Sequence, residues 1–367
     1  MEKPLFDLKI ADLQIEVNSY IPGKGLAWAM LFPLKYTPRF DIVGLEGDEG
    51  IPVSADKVAF STKAPLKTRK TVGRWSGKLA KIAISREKDE MEINEYLDLK
   101  TLAQSNKDSA MAQYLVDMVY DDVKACNEGA DYKVEIDAMR IGSRGLHTFP
   151  ASIEGEMATA DVINFNVPAE NFAGVAVKWS DATNADGIAD IVKMQKAVVK
   201  EGKLRPMYAF LEDSTFELLI SQAKTLKRVA SILVNATGMA SSEVLSLESV
   251  NAYMRKKGYP QFLVLDTRAK IEDKAGNQTT IKPWNEKVVT LSPTPQLGWT
   301  YYKPVPMVEN TAAMQAQGSF AKTTVYSETN PMKEVTLTEA YVQPGLINRK
   351  SLVFINVDNT TSFNGGE

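Results

Sequence analysis

Between Leu99 and Glu128 apolar residues recur at intervals of three and four, and a chain carrying a helix of that length is constrained to build along it. Ala112, Val116, Val119, Val123 and Cys126 form one stripe, with Met111, Leu115 and Met118 beside it. Asn106, Lys107, Asp108, Gln113, Asp117, Asp121 and Lys124 take the remaining arc. The pattern predicts a helix covered on one broad side and open on the other. Gly129 stands where a helix often needs a left-handed residue to finish.

Charge upstream of this helix is segregated. Lys57, Lys63, Lys67, Arg69, Lys70, Arg74, Lys78, Lys81 and Arg86 follow one another without an Asp or Glu. Glu87, Asp89, Glu90, Glu92, Glu95 and Asp98 come next, with only Lys88 among them. Three readings are open: a solvated hairpin, a nucleic-acid surface, or a basic loop on one copy lying against acidic surface on its neighbour. A single central aromatic, Trp75, offers no stacking series, and the alternation of Leu79, Ile82 and Ile84 suits a long two-stranded loop. The residues expected at a contact between subunits are Lys63, Lys67, Arg69, Lys70, Arg74, Lys78, Glu87, Asp89 and Glu90.

Most familiar chemistry is excluded by what the chain lacks. One cysteine, Cys126, forbids an intramolecular disulfide, and its place on the apolar stripe predicts a buried, inert thiol suited to a reducing compartment. One histidine, His147 in GLHTFP, has no nucleophile elbow near it, so a structural role is expected and the usual Cys/His zinc sites cannot be built. Asp181, Asn184, Asp186 and Gly187 resemble a calcium loop, but that register puts Ala182 and Lys193 at ligand positions, so the segment reads as a helix cap. Gly23-Lys24-Gly25 and Gly142-Ser143-Arg144-Gly145 lack the ending of a phosphate loop. No catalytic constellation survives in the sequence, and no catalytic, cofactor or metal residue is expected. The first residues lack a signal peptide's apolar core, and Leu26–Leu34, interrupted by Pro33, is far short of the roughly 18 residues a membrane helix needs. That run reads as a buried anchor.

A length of 367 residues allows two or three folding units, and 44% hydrophobic with 24% charged residues and a net charge of -3 describes a soluble globular protein. Residues 1 to about 45 look like an arm: Leu13, Ile15 and Val17 alternate as in a strand, then Pro22, Gly23, Gly25, Pro33 and Pro38 punctuate. Tyr132–Ile141 alternates and is predicted as a strand, turning at Gly142 and Gly145. A short strand is expected at Val175, Val177 and Trp179. Asp186 should cap a helix with Ile188, Ile191, Val192, Gln195, Val198 and Val199 inward. Met207–Leu211 reads as a buried strand, Ser214 as the cap of a helix over Phe216–Lys227, and Leu247–Lys257 as a helix closed by Gly258 and Pro260. Strands at Gln261–Ile271, Lys287–Leu291 and Trp299–Val305 would complete a mixed middle unit. Two strands, Glu334–Val342 and Lys350–Val357, joined through Pro344 and Gly345, would return beside the long helix to make a discontinuous domain.

Several of these segments resemble the major capsid proteins of lambda-type tailed phages, the capsid protein E family. KWSDATNADGIADIVKMQKAV (178–198) resembles that family's Trp-Ser segment and acidic helix start, with Gly187 where a proline often stands. MYAFLEDSTFELL (207–219) and the closing TVYSETNPMKEVTLTEAYVQPGLINRKSLVFINV (324–357) are similar to its strand-helix piece and its last strands, and Leu31-Phe32-Pro33 with Phe40–Val43 agree more loosely. The resemblance implies an α+β Hong Kong 97 (HK97) fold: an N-terminal arm over 1–46, an extended loop over 47–98, a peripheral domain over 99–163 and 324–367 with its spine helix at 99–128, and an axial domain over 164–323. It implies a shell subunit that forms homo-pentamers and homo-hexamers and closes an icosahedral head around double-stranded DNA on its inner surface. Portal, scaffold and decoration proteins would be further partners, and the virion, assembled in the host cytoplasm, its location. Some relatives link a loop lysine to an asparagine of the next subunit. Lys67, Lys70 and Lys78 are the loop lysines for such a link, without a recognisable site glutamate. The role the resemblance implies is structural and not enzymatic. Three other roles compete: an encapsulin-like compartment shell, a DNA-binding protein acting through the basic loop, and an enzyme with carboxylate-only chemistry.

Overall fold

The computed structural model describes residues 2–6, 9–46, 54–58, 60, 73–106, 109–148, 162–237, 245–273, 275–309 and 311–363. Among them the α-helices are α1 (Ile10–Ser19), α2 (Trp28–Leu31), α3 (Glu90–Asn106), α4 (Ser109–Arg144), α5 (Gly187–Lys200), α6 (Asp213–Ser221), α7 (Ala223–Thr237) and α8 (Leu247–Lys257). The 36 residues of α4 make a rod of about 54 Å, and two β-sheets pack along it.

The first sheet runs Leu34–Tyr36, Gly298–Lys303, Met332–Leu346, Ala321–Thr329, Met314–Gln317, and Ala80–Lys88 pairs with the free flank of Met332–Leu346. The second runs Phe172–Gly174, Val353–Asn356, Val288–Ser292, Tyr208–Glu212, Gln261–Leu265. Alternation along its strands divides the second sheet's faces. Ala209, Leu211, Val289, Leu291, Val353 and Ile355 pack under α5 to α8, whereas Phe210, Val288 and Phe354 face the cluster that holds Val134, Ala138, Met139 and Ile141 of α4. The N-terminal part of α4 packs Val119 and Val123 against Val325 and Met314 of the first sheet and Leu13 and Val17 of α1.

The structure redraws the long helix at both ends. Leu99 to Asn106 belongs to α3, positions 107 and 108 lie outside the described residues, and α4 runs 15 residues past Gly129 to Arg144. Gly129 is there for close approach rather than for termination: a Cβ would fall 2.5 Å from Ile84 Cδ1 on the neighbouring strand. The helix ends at Gly145, whose φ of 71° is the left-handed value that glycine adopts without strain. Tyr132–Ile141 is therefore helix and not strand. Val134, Glu135, Ile136, Asp137, Ala138, Met139, Arg140 and Ile141 are all buried, so the helix is enclosed on every side and shows no one-sided period to read.

Other expectations change for similar reasons. Leu13, Ile15 and Val17 lie on a helix: Leu13 and Val17, four apart, are buried, and Ile15 is exposed. The predicted strand at Val175 to Trp179 starts earlier, at Phe172–Gly174, and the Trp179 indole instead bonds Asp190 at 3.2 Å. Glu212, not Ser214, caps α6, accepting from the Ser214 N–H at 2.7 Å, and the helix stops at Gln222 before α7 begins. Gln261–Ile271 divides into Gln261–Leu265 and a separate hairpin, Ala269–Glu272 with Gln278–Ile281. Asp186 caps α5 as expected, accepting from Ala189 N–H at 3.0 Å, and Gly258 closes α8 at φ 67°.

Strand membership does not follow the division at 323/324. Gly298–Lys303 and Met314–Gln317 lie in the first sheet and Val353–Asn356 in the second. The expected break at Pro344 and Gly345 is absent, because Met332–Leu346 is one strand. Pairing with Ala80–Lys88 ends at Val342, so Pro344 sits where only Gly298–Lys303 flanks the strand and its missing N–H costs little. Nor does Ala80–Lys88 fold back within a two-stranded loop. The hairpin is made by Asp41–Glu46 with Gly73–Lys78, and the chain then enters the first sheet.

Candidate functional site

The segment from Leu5 to Leu34 wraps the molecule, and carboxylates hold its backbone. Asp131 Oδ2 accepts from the Tyr20 hydroxyl at 2.5 Å and the Gly23 N–H at 2.7 Å. One turn on, Glu135 accepts from Ala27 N–H at 3.2 Å and Trp28 N–H at 2.7 Å, the exposed donors of the short helix α2. Glu334, on the first sheet, accepts from Leu5 and Phe6 N–H at 2.7 and 3.1 Å. All three acids are buried, and burial raises each carboxyl's pKa above its ordinary value while the donors pull it down in part. The same burial, with the hydrogen bond to Asp131, raises Tyr20. Trp28, Leu31 and Phe32 then fill the largest core, so the predicted anchor is buried in its own subunit. Each such side chain contributes about 1.5–3 kcal/mol by burial.

Several large apolar side chains of the same segment stand in water among polar neighbours. Ile10, Ile15 and Ile21 are 59%, 66% and 62% exposed. Beside Ile21, an open cleft of about 420 Å³ runs between the arm and α4, lined by Tyr20, Lys24, Val123, Glu128 and Tyr132.

Of the expected contact residues, Lys63, Lys67, Arg69 and Lys70 lie outside the described residues. Arg74 and Lys78 stand on the hairpin strand opposite Leu45 and Asp41, and Lys78 is exposed. Glu87, Asp89 and Glu90 lie at the far end of the Ala80–Lys88 strand, about 30 Å from Lys78 at the usual rise. Glu87 pairs with Lys333 at 3.0 Å, and Asp89 and Glu92 make a reciprocal cap at the start of α3, Asp89 Oδ1 accepting from Glu92 N–H at 3.0 Å and Glu92 from Asp89 N–H at 3.0 Å. Lys88 is buried against Asp122 of α4. His147 falls on the Leu146–Thr148 strand. Cys126 is fully buried with its pKa pushed up to about 11 by burial, as its place on the stripe predicted. The arm-holding acids went unread in the sequence, where Asp131 and Glu135 stand four apart among other charged residues, Glu128, Lys133 and Asp137.

A chain with two sheets along one rod and an arm docked on it can be compared with known proteins as a whole. The phage major capsid protein E family matches residues 9–344. The chain belongs to that family. A putative prophage capsid protein from E. coli CFT073 superposes with a TM-score of 0.56 at 15% identity, covering 95% of this chain and 99% of that one. A phage-related protein from Bordetella bronchiseptica RB50 gives 0.51 at 11% identity, covering 95% and 97%. No curated protein sequence matches significantly. The fold of this capsid protein is the α+β HK97 type that the resemblance implied, and its role is that of a phage major capsid protein, a structural component of the virion. No helix among the described residues is long and apolar enough to cross a membrane.

Proposed function

We propose that this capsid protein forms pentamers and hexamers that close an icosahedral head around double-stranded DNA, assembling in the host cytoplasm with portal, scaffold and decoration proteins as further partners. The observation that carries the reading is the two-sided arm. Its inner residues are held by Asp131, Glu135 and Glu334, and its outer face leaves Ile10, Ile15 and Ile21 in water. A docked segment that leaves three large apolar side chains in water offers them for a second copy to cover. In this reading α3 and α4 are the spine, the first sheet is the peripheral domain, and the second sheet with α5 to α8 is the axial domain. The loop between Glu46 and Gly73 lies over a neighbour, its Lys63, Lys67, Arg69 and Lys70, with Arg74 and Lys78, meeting acids such as Asp89 and Glu90.

The test is deletion of residues 61–72, which spares the Gly73–Lys78 pairing. The expected outcome is a folded subunit by circular dichroism that makes no closed shells under negative stain, where the full chain does. Normal particles from the deletion would overturn the role given to the loop.

A further inference from the structure

Charge is distributed unevenly over the second sheet's helical cover. The helices α5, α7 and α8 carry nine Lys and Arg against two acids, in a chain whose net charge is -3. One of the two acids, Asp190, is turned inward to the Trp179 indole and the Ala176 N–H. The other, Glu248, lies in the first turn of α8, at the opposite end from that helix's cations. The fourth helix, α6, brings Asp213 and Glu217.

The cations concentrate where two helix ends meet. Lys193, Lys196 and Lys200 are exposed along one stripe of α5, spaced three and four apart. Arg255, Lys256 and Lys257 make up the exposed last turn of α8. The two ends are tied together at Gly258, whose carbonyl accepts from the Arg205 guanidinium at 2.6 Å and from Gln195 of α5 at 3.5 Å. Among the described residues none of these six is in an ion pair, whereas Arg228 of α7 is paired with Asp186. Cations in a last turn answer the helix dipole, but Lys193 and Lys196 lie in the body of α5, beyond its reach.

We infer that this face binds double-stranded DNA through its phosphates and that in the closed head it is turned inward to the packaged genome; the inward placement rests on the shell reading above. Lys193 to Lys200 spans about 10 Å, roughly three phosphate-to-phosphate steps along one strand. Seven of the nine cations are lysines, the residue that protein–protein interfaces deplete. Among the residues of these three helices whose burial is described, the large apolar side chains left exposed are Val199 at 40% and Leu226 at 39%, too few to make the apolar centre of a subunit contact there. Exposed lysines outside any ion pair suit sequence-independent contact with a duplex.

The test uses the full chain carrying Lys196→Gln, Lys200→Gln, Lys256→Gln and Lys257→Gln, titrated with a fluorescent duplex of about 30 base pairs over roughly 50–200 mM salt. Binding should weaken by at least about tenfold, and the slope of log K against log salt should become shallower by about 3–4. Lys9→Gln with Lys24→Gln and Lys124→Gln, exposed lysines of the arm and α4, should leave both quantities unchanged. Equal affinity and slope in the four-lysine variant, or an equal loss in the control, overturns the assignment. So does a variant that binds duplex normally but fails to retain an acidic protein partner. Circular dichroism establishes that the variants are folded. Orientation is read separately: in closed native shells Lys256 and Lys257 should resist an amine-reactive dextran too large to enter, and react once the shells are dissociated. Equal labelling in both states overturns the inward placement, whereas failure of the native chain to form shells overturns the shell reading and leaves the duplex titration to decide the surface.

Discussion

Replacing Glu135 by alanine measures what the docked arm contributes to the subunit. The side chain is 1% exposed, and its two oxygens accept from Ala27 and Trp28 N–H at 3.2 and 2.7 Å. Truncation leaves both donors at the start of α2 without an acceptor, at about 1–3 kcal/mol for each buried one, and loses charge-assisted bonds. The expected cost is about 3–5 kcal/mol. Glutamine at the same position keeps one carbonyl oxygen, and burial already disfavours the charged form of Glu135. It should cost only about 1–2 kcal/mol. Urea unfolding at neutral pH, followed by tryptophan fluorescence with Trp28 beside the site, gives both numbers. An alanine variant within about 1 kcal/mol of native, or equal to glutamine, refutes the claim that the carboxylate holds the arm. Acid supplies a second arm of the assay. Because the folded-state carboxyl pKa is raised above the ordinary 4.5, the folded chain keeps a proton that the unfolded chain has lost. This group's contribution is complete below 4.5 and is lost as pH rises through the raised value. Native protein should therefore gain on the glutamine variant as pH falls towards 4.5, whereas Asp131 and Glu334, raised in the same direction, act on both proteins alike.

Two further predictions concern α4. Gly129→Val should destabilise the subunit by about 1–3 kcal/mol, because its side chain would enter the space of Ile84 Cδ1, and Ile84→Ala in the same chain should recover part of the loss in a denaturant titration. Cys126, buried and with its pKa pushed up to about 11, should stay unreactive towards a disulfide reagent at neutral pH until urea unfolds the chain, and rapid labelling of the native subunit would contradict its burial.

Local chemistry by itself determined a good deal. Asp186 and Gly258 bound their helices as read, since a cap needs only a side-chain oxygen or a left-handed glycine at one position. Cys126 was recognisably buried from its stripe, and the near-motifs at Asp181 and Gly23 could be set aside on spacing. The order of segments carried the family resemblance, and with it the fold.

What only the tertiary structure decided is where burial comes from more than one direction. The Tyr132–Ile141 run resembles a strand because from Val134 on it is buried on every side and has no solvent face to impose a helical period. Gly129 resembles a terminator because the strand that presses on it is more than forty residues away in sequence. The assignment of Gly298–Lys303 and Val353–Asn356 to sheets other than expected rests on pairing partners, which no single strand's pattern specifies. Asp131, Glu135 and Glu334 look like ordinary surface acids until the arm's N–H groups are brought to them. A carboxylate is tolerable in a core only when donors from elsewhere in the chain converge on it, and that convergence exists only in the folded molecule.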